Sequence, residues 1–173
     1  CQGVVTVAAN GPAGVRAVAK DLPPEKRVVV LEGDEYDSAF FAKWPKFHSY
    51  RPDIAVLTSL EFDHADIYQS VEEIEAEFEK LVSSVPESGT IVVCDNEPRL
   101  KAVINEAKQA GRLKAQVAFY GEAQDSRYQL RARSMEHGHQ HLEYLVNGKE
   151  WRIETSLTGY HNALNLLTVC AVG

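Results

Sequence analysis

The 173-residue chain carries 25 Asp and Glu residues against 18 Lys and Arg, which gives a formal net charge of −7. An acidic surface repels polyanions, so neither nucleic acid nor an anionic membrane surface is expected as a partner of the whole fold. Hydrophobic residues make up 45% and charged residues 25% of the chain, which excludes wholesale disorder. The length suits a single domain over residues 1–173.

Neither the termini nor the cysteines point to export from the cell. The sequence has no run of about 18 apolar residues, and its start lacks the charge and apolar pattern of a signal peptide. Cys1, Cys94 and Cys170 are odd in number and far apart, with no Cys-x-x-Cys pair. We therefore expect a reduced, cytoplasmic protein without a membrane span.

The first half of the chain predicts strands of a parallel sheet. Residues 1–24 predict a partial strand followed by a loop. The short apolar runs at 28–31 and 54–57 each predict a strand that is buried on both faces. Their spacing is that of a strand, crossover and strand unit.

The second half predicts helices, two more buried strands and then an antiparallel meander. Helical spacing follows a capping-box pair at Ser70 and Glu73, and strands are predicted at 91–94 and 117–120. A helix is predicted from Pro98 to a cap at Gly111. Alternating stretches from 128 to 153, with turns at Gly138 and Asn147-Gly148, predict antiparallel strands. A last helix is predicted from about His161. The predicted class is α/β, with a mostly parallel central sheet flanked by helices and a small antiparallel meander.

Four carboxylates follow the first of these strands, at Glu32, Asp34, Glu35 and Asp37. In open α/β sheets, ligands bind beyond the carboxyl ends of the strands. Like charges this close repel one another unless a cation offsets them, and Mg²⁺ is the cation that prefers carboxylate oxygens. The alternative is a solvated acidic loop.

A second polar cluster follows the next predicted strand and includes Glu61, Asp63, His64 and Asp66. If the two strands are neighbours, Glu32 and His64 face one crevice. Such a pair suits metal binding or acid–base chemistry, although an isolated histidine is more often structural.

A third cluster opens the last helix, where Gly159 precedes His161, Asn162 and Asn165. Side chains three and four residues apart share a helix face. An asparagine inside a helix is favourable when its amide binds something, such as a purine edge. The alternative is that Asn162 only caps the helix.

Three strings together resemble the central domain of the Mur ligases: EGDEYDSAFF at 32–41, LEFDHADI at 60–67 and GYHNALN at 159–165. The resemblance covers residues 28–173 and is greatest to the peptidoglycan-recycling branch. It implies a fold of the phosphate-loop type that binds ATP and Mg²⁺. In the family, the carboxylate of UDP-N-acetylmuramate is phosphorylated to an acyl phosphate, which an amine attacks; in this branch the amine belongs to a murein tripeptide.

The resemblance also implies roles for particular residues. Glu32 and His64 would be magnesium ligands, and Asn162 and Asn165 would lie at the nucleotide, with Asn165 near the adenine. His161 would lie close to the same site. Lys80 lies near the position of a carbamylated lysine of some relatives, but the register does not match.

The chain departs from the family pattern in three ways. No G-T-x-G-K-T/S phosphate loop is found, because Gly11 to Gly14 is not followed by Lys and Ser or Thr. The family's N- and C-terminal domains are not expected within these 173 residues either. Tyr160 stands where many relatives have arginine. We therefore expect a fragment that is catalytically weak or inactive by itself. Three alternatives are the branch that adds L-alanine, a non-catalytic nucleotide-binding module, and a metal-dependent hydrolase based on Glu32, Asp34 and His64.

Overall fold

The computed structural model describes residues 4–8, 29–33, 37–39, 42–60 and 68–172. Within these ranges the strands are β1 (Val4–Ala8), β2 (Val29–Gly33), β3 (Asp37–Ala39), β4 (Ala42–Pro45), β5 (Ile54–Leu57), β6 (Thr90–Cys94), β7 (Gln116–Gly121), β8 (Tyr128–Glu136), β9 (His139–Val146) and β10 (Lys149–Thr155). The helices are α1 (Val71–Ser84), α2 (Pro98–Gln109) and α3 (Tyr160–Val172), with a 3₁₀ turn at Lys46–Ser49.

One sheet contains eight of these strands in the order β10-β9-β8-β7-β6-β5-β1-β2, and β3 pairs with β4 separately. Strands β5, β6, β7 and β8 run parallel, and β9 and β10 continue the sheet as an antiparallel meander. Strand β8 begins where β7 ends, since Tyr120 pairs with Tyr128. The predicted α/β class, a central parallel sheet with flanking helices and a meander, is confirmed.

The strands predicted at 28–31 and 54–57 are not direct neighbours in the sheet. Strand β1 lies between β2 and β5 and is antiparallel to both. Because Val4 pairs with Gly33 on one side and Leu57 on the other, the carboxyl ends of β2 and β5 still reach the same edge of the sheet. Two strand spacings separate them, about 10 Å.

Two apolar layers cover the faces of the sheet. On one face Ala55, Leu57, Ile91 and Val93 pack in a cluster with buried residues of α1 and α2. On the other face the alternate strand residues pack with α3; they include Val56, Val92, Cys94 and Tyr120. This alternation follows from the two-residue period of a strand, and it explains why the central strands read as continuous apolar runs.

Strand β2 lies at the end of the sheet and is not buried on both faces as predicted. Val30 is 64% exposed and Glu32 is also exposed. Val30 pairs with Val7, and Val7 with Ile54, so Val30 projects from the face that α3 covers further along the sheet. Among the described residues, the main strand contacts of helix α3 are with β7, β8 and β9, at the other end of this face.

Most of the predicted helix and turn signals are confirmed where the structure describes them, but the capping box at Ser70 and Glu73 is not formed. Ser70 is the N-cap of α1 without a side-chain cap hydrogen bond, and Glu73 Oε2 instead accepts a hydrogen bond from the Gln69 amide at 2.8 Å. Gly111 (φ +68°) follows α2, and Asn147 (φ +51°) and Gly148 (φ +78°) form the turn between β9 and β10. None of the helices in the described ranges is long and apolar enough to cross a membrane.

An ion-pair network joins the 3₁₀ turn to α1 and makes stability depend on pH. His48 Nε2 lies 2.6 Å from Glu77 Oε2, and Lys80 Nζ donates to Glu77 Oε1 at 2.7 Å. Partial burial by itself would raise the pKa of Glu77, but the hydrogen bonds from Lys80 and His48 outweigh it and hold that pKa below its ordinary value of 4.5.

We predict that Glu77→Gln lowers the free energy of unfolding by about 0.5–1 kcal/mol at pH 7. A carboxyl whose pKa is lowered by folding stabilises the protein above its unfolded pKa, and this contribution disappears as pH falls through the folded value. Urea unfolding of both proteins between pH 7 and 3 should show the difference vanish at the acid end. The exposed Glu87→Gln serves as the control, and an equal loss there would contradict the prediction.

Candidate functional site: a crevice at the strand ends

A crevice of about 420 Å³ lies at the carboxyl ends of β5, β6 and β7, under the first turn of α3. This is the edge at which open α/β sheets bind ligands. Its lining consists of Thr58, Ser59, Cys94, Asn96, Glu97, Tyr120, Tyr160, His161, Leu164 and Asn165.

Helix α3 is fixed over the crevice by apolar and polar contacts. Leu164 and Leu167 are buried against the sheet. The buried hydroxyl of Tyr144, on β9, donates to the Ala163 carbonyl at 2.7 Å. Gly159 has φ +94°, a backbone conformation that favours glycine, and its carbonyl accepts the Ala163 amide at 3.2 Å. The chain can therefore turn sharply into the helix directly above the strand ends.

Tyr160 connects the first turn of α3 to the loops after two strands. Asn96 Nδ2, beyond β6, donates to the Tyr160 hydroxyl, which in turn donates to Glu122 Oε2, beyond β7, at 3.1 Å. The guanidinium carbon of Arg133, on β8, lies 5.8 Å from the centre of the tyrosine ring. Burial, followed by the bond to Glu122, raises the pKa of Tyr160 to about 12, so the phenol stays protonated at neutral pH.

The structure brings two of the three predicted nucleotide residues into the crevice. His161 and Asn165 are exposed and line it from successive turns of α3, as their four-residue spacing predicts. The amide of Asn162 instead donates to the Thr158 carbonyl at 2.7 Å, within the loop that leads into the helix. A direct contact between Asn162 and a nucleotide stays a prediction.

The floor of the crevice is formed by uncharged groups. Burial raises the pKa values of the Cys94 thiol and of the neighbouring Tyr120 phenol. A thiol with a raised pKa is a poor nucleophile, because the reactive form is the thiolate. The floor therefore supplies a surface on which a ligand can rest, and covalent catalysis by Cys94 is not favoured.

Sequence reasoning missed Asp95, which shapes the edge of the crevice. It is only 6% exposed, and its carboxylate accepts the Ala123 amide at 2.9 Å, the Glu122 amide at 3.3 Å and the hydroxyl of Ser126. An aspartate directly after a buried strand was the available signal. These bonds hold the loop after β7, including Glu122, beside the crevice.

Glu32 projects from the same face of the sheet as the crevice. It pairs with Val5, which pairs with Val56, and Val56 belongs to the apolar layer under α3. His64 lies outside the described residues, and so do Asp34 and Glu35. The predicted approach of Glu32 and His64 therefore stays a prediction. In the ranges that the structure describes, no group of three or more His, Cys, Asp or Glu residues could hold a metal ion. An exposed carboxylate at this edge is nevertheless the oxygen donor that Mg²⁺ prefers.

Comparison with known proteins identifies the family. Residues 4–173 match the family described as the Mur ligase middle domain. The UDP-N-acetylmuramate–L-alanine ligase of Salinibacter ruber is 31% identical over 86% of this chain and 29% of its own length. The UDP-N-acetylmuramate–L-alanyl-γ-D-glutamyl-meso-2,6-diaminoheptandioate ligase of Escherichia coli is 35% identical over 85% of this chain and 30% of its own length.

A solved structure agrees with these sequence relatives. The UDP-N-acetylmuramate:L-alanyl-γ-D-glutamyl-meso-diaminopimelate ligase from Neisseria meningitides is 33% identical, with a TM-score of 0.66, and the match covers 82% of this chain and 41% of that one. The chain thus spans less than a third of the length of the two curated relatives described above. By sequence and by fold, the chain belongs to the Mur ligases, a family of ATP-dependent amide ligases, as their middle domain.

Proposed function

We propose that this chain is the ATP-binding middle domain of a ligase that joins the carboxylate of UDP-N-acetylmuramate to the amine of a murein tripeptide. The observation that carries the proposal is the crevice at the ends of β5, β6 and β7, into which α3 presents His161 and Asn165. A ligase of this kind acts in the cytoplasm, where ATP and nucleotide sugars are found.

The groups around the crevice suit a nucleotide. The carboxamide of Asn165 has both donors and an acceptor, so it can pair with the donor and acceptor edge of adenine. His161 lies one turn away and is available to the sugar or phosphates. The floor formed by Cys94 and Tyr120 carries no charge, and Glu97 places one carboxylate elsewhere in the lining.

Magnesium fits the acidic side of the site. Glu32 and His64 would hold it, as the resemblance implies, with Glu32 supplying an oxygen from the face shared with the crevice. When bound, a magnesium ion neutralises charge on phosphate oxygens. The net charge of −7 opposes binding of a polyanion, and a bound magnesium ion offsets that repulsion.

We predict that Asn165→Ala weakens binding of Mg²⁺-ATP by about tenfold, since a paired amide is lost from the site. Asn162→Ala should change the affinity by less than about threefold, because its amide is bonded to Thr158. Titration followed by NMR, which detects millimolar affinities, measures both. Equal losses in the two variants would favour a direct role for Asn162, and saturable binding that is unaffected by Asn165→Ala would exclude the proposed site.

An acceptor assay separates the two branches, since L-alanine ligases match this chain as extensively as tripeptide ligases do. The assay requires a longer protein that contains this domain, since the isolated chain lacks the phosphate loop and should be weak or inactive. With UDP-N-acetylmuramate and ATP, we expect phosphate release with the tripeptide and little with L-alanine. The reverse preference would assign the protein to the L-alanine branch, and ATP binding without either reaction would favour a non-catalytic module.

A further inference from the structure

The hydroxyl of Tyr160 both accepts and donates a hydrogen bond, and so joins two loops. Its oxygen accepts from Asn96, and its proton is donated to Glu122. These partners follow β6 and β7, so one side chain joins two adjacent strand ends to the start of a helix that is distant in sequence. The ring is also covered on one side by the Arg133 guanidinium.

The partners of Tyr160 are themselves fixed. Glu122 follows Gly121 in the loop that Asp95 holds through three hydrogen bonds, and Asn96 directly follows Asp95. Tyr160 is therefore attached to a rigid support, whereas the exposed His161 and Asn165 have no bond to that support among the hydrogen bonds of the described residues. Any rotation of the first turn of α3 would move both side chains relative to the crevice.

We propose that Tyr160 is a positioning residue for the nucleotide site. Its hydrogen bonds to Asn96 and Glu122, which we call the latch, hold the first turn of α3 against the loops after β6 and β7. The latch thereby determines where His161 and Asn165 lie in the crevice. The proposal rests on the proposed function only for the identity of the ligand. The latch itself consists of contacts among residues of this chain. Glu122 is not among the residues that line the crevice, and its carboxylate accepts the hydrogen bond of the Tyr160 hydroxyl.

The test compares Tyr160→Phe, Glu122→Ala and Glu122→Gln in the purified chain. Two quantities are measured: hydrogen exchange at the Ala163 amide without ligand, and the Kd for Mg²⁺-ATP. Tyr160→Phe and Glu122→Ala should both accelerate exchange at Ala163 at least threefold and weaken ATP binding about five- to tenfold. Glu122→Gln keeps an acceptor for the hydroxyl and should behave like the wild type. Tyr50→Phe is the matched control, because Tyr50 packs on the opposite face of the sheet.

Each outcome decides a separate question. Weaker ATP binding in Tyr160→Phe, with unchanged exchange at Ala163 and no effect of Glu122→Ala, would mean that the hydroxyl contacts the nucleotide directly, which overturns the latch. Unchanged exchange in both variants would overturn it even if ATP does not bind. Absence of ATP binding to the wild-type chain would count against the proposed function, and accelerated exchange would still support the latch.

Discussion

Replacing Gly121 by alanine should destabilise the protein by about 2–4 kcal/mol, more than most single substitutions do. A Cβ at this position would lie 1.9 Å from Asp95 Oδ1, and the backbone has φ +148°, which residues with a side chain rarely adopt. The buried Asp95 side chain cannot move aside without releasing the amides of Glu122 and Ala123. Strain and lost hydrogen bonds therefore add up at one site.

Urea denaturation of Gly121→Ala and Gly111→Ala provides the measurement and its control. Gly111 also has positive φ, +68°, but a Cβ there would meet nothing within 4 Å. Only the conformational cost of a left-handed residue remains, about 1 kcal/mol. If the two variants lost equal stability, the close contact with Asp95 would not be the cause.

Leu167→Ala should cost about 2–4 kcal/mol of unfolding free energy and weaken any ligand binding in the crevice. Leu167 is completely buried in the apolar layer between α3 and the sheet. Truncation leaves a cavity beneath the helix whose first turn forms part of the crevice. Because α3 then packs less firmly, exchange of its backbone amides should also accelerate.

Val169→Ala on the same helix is the matched control for Leu167→Ala. Val169 is 66% exposed, and alanine has the higher helix propensity, so stability should change by less than about 0.5 kcal/mol. Thermal denaturation and amide exchange of the pair separate loss of packing from a change in the helix itself. A loss at Val169 as large as at Leu167 would show that α3 is covered on its outer side in solution.

Local patterns in the sequence were sufficient to predict most elements of the fold. The strand predicted at 54–57 has the bounds of β5, and the Asn147-Gly148 turn joins β9 and β10 as expected. In these cases short-range chemistry decides the structure: buried parallel strands are continuously apolar, and a tight hairpin needs residues that tolerate positive φ.

Strand order could not be predicted, because pairing is a long-range choice that apolar residues do not specify. Val4 to Val7 are compatible with several neighbours, and only the folded chain shows that they separate β2 from β5. The packing of Gly121 against Asp95 was missed for the same reason, since the two residues are far apart in sequence.

For the candidate site, spacing on one helix correctly placed His161 and Asn165 together. It did not predict that the amide of Asn162 bonds to Thr158 or that Tyr160 bonds to Glu122. These contacts depend on the path of the backbone before α3 and on loops after other strands. A residue type shows what a side chain can bond, whereas the partner depends on the tertiary structure.

The meander extends beyond the edge of the sheet at which the crevice lies. Strand β8 starts level with the last residues of β7, so β8, β9 and β10 continue past the carboxyl ends of the parallel strands. Eight residue steps of β8 correspond to a height of about 26 Å. This extension places the Arg133 guanidinium beside the first turn of α3, which gives an otherwise acidic protein a positive charge next to the crevice.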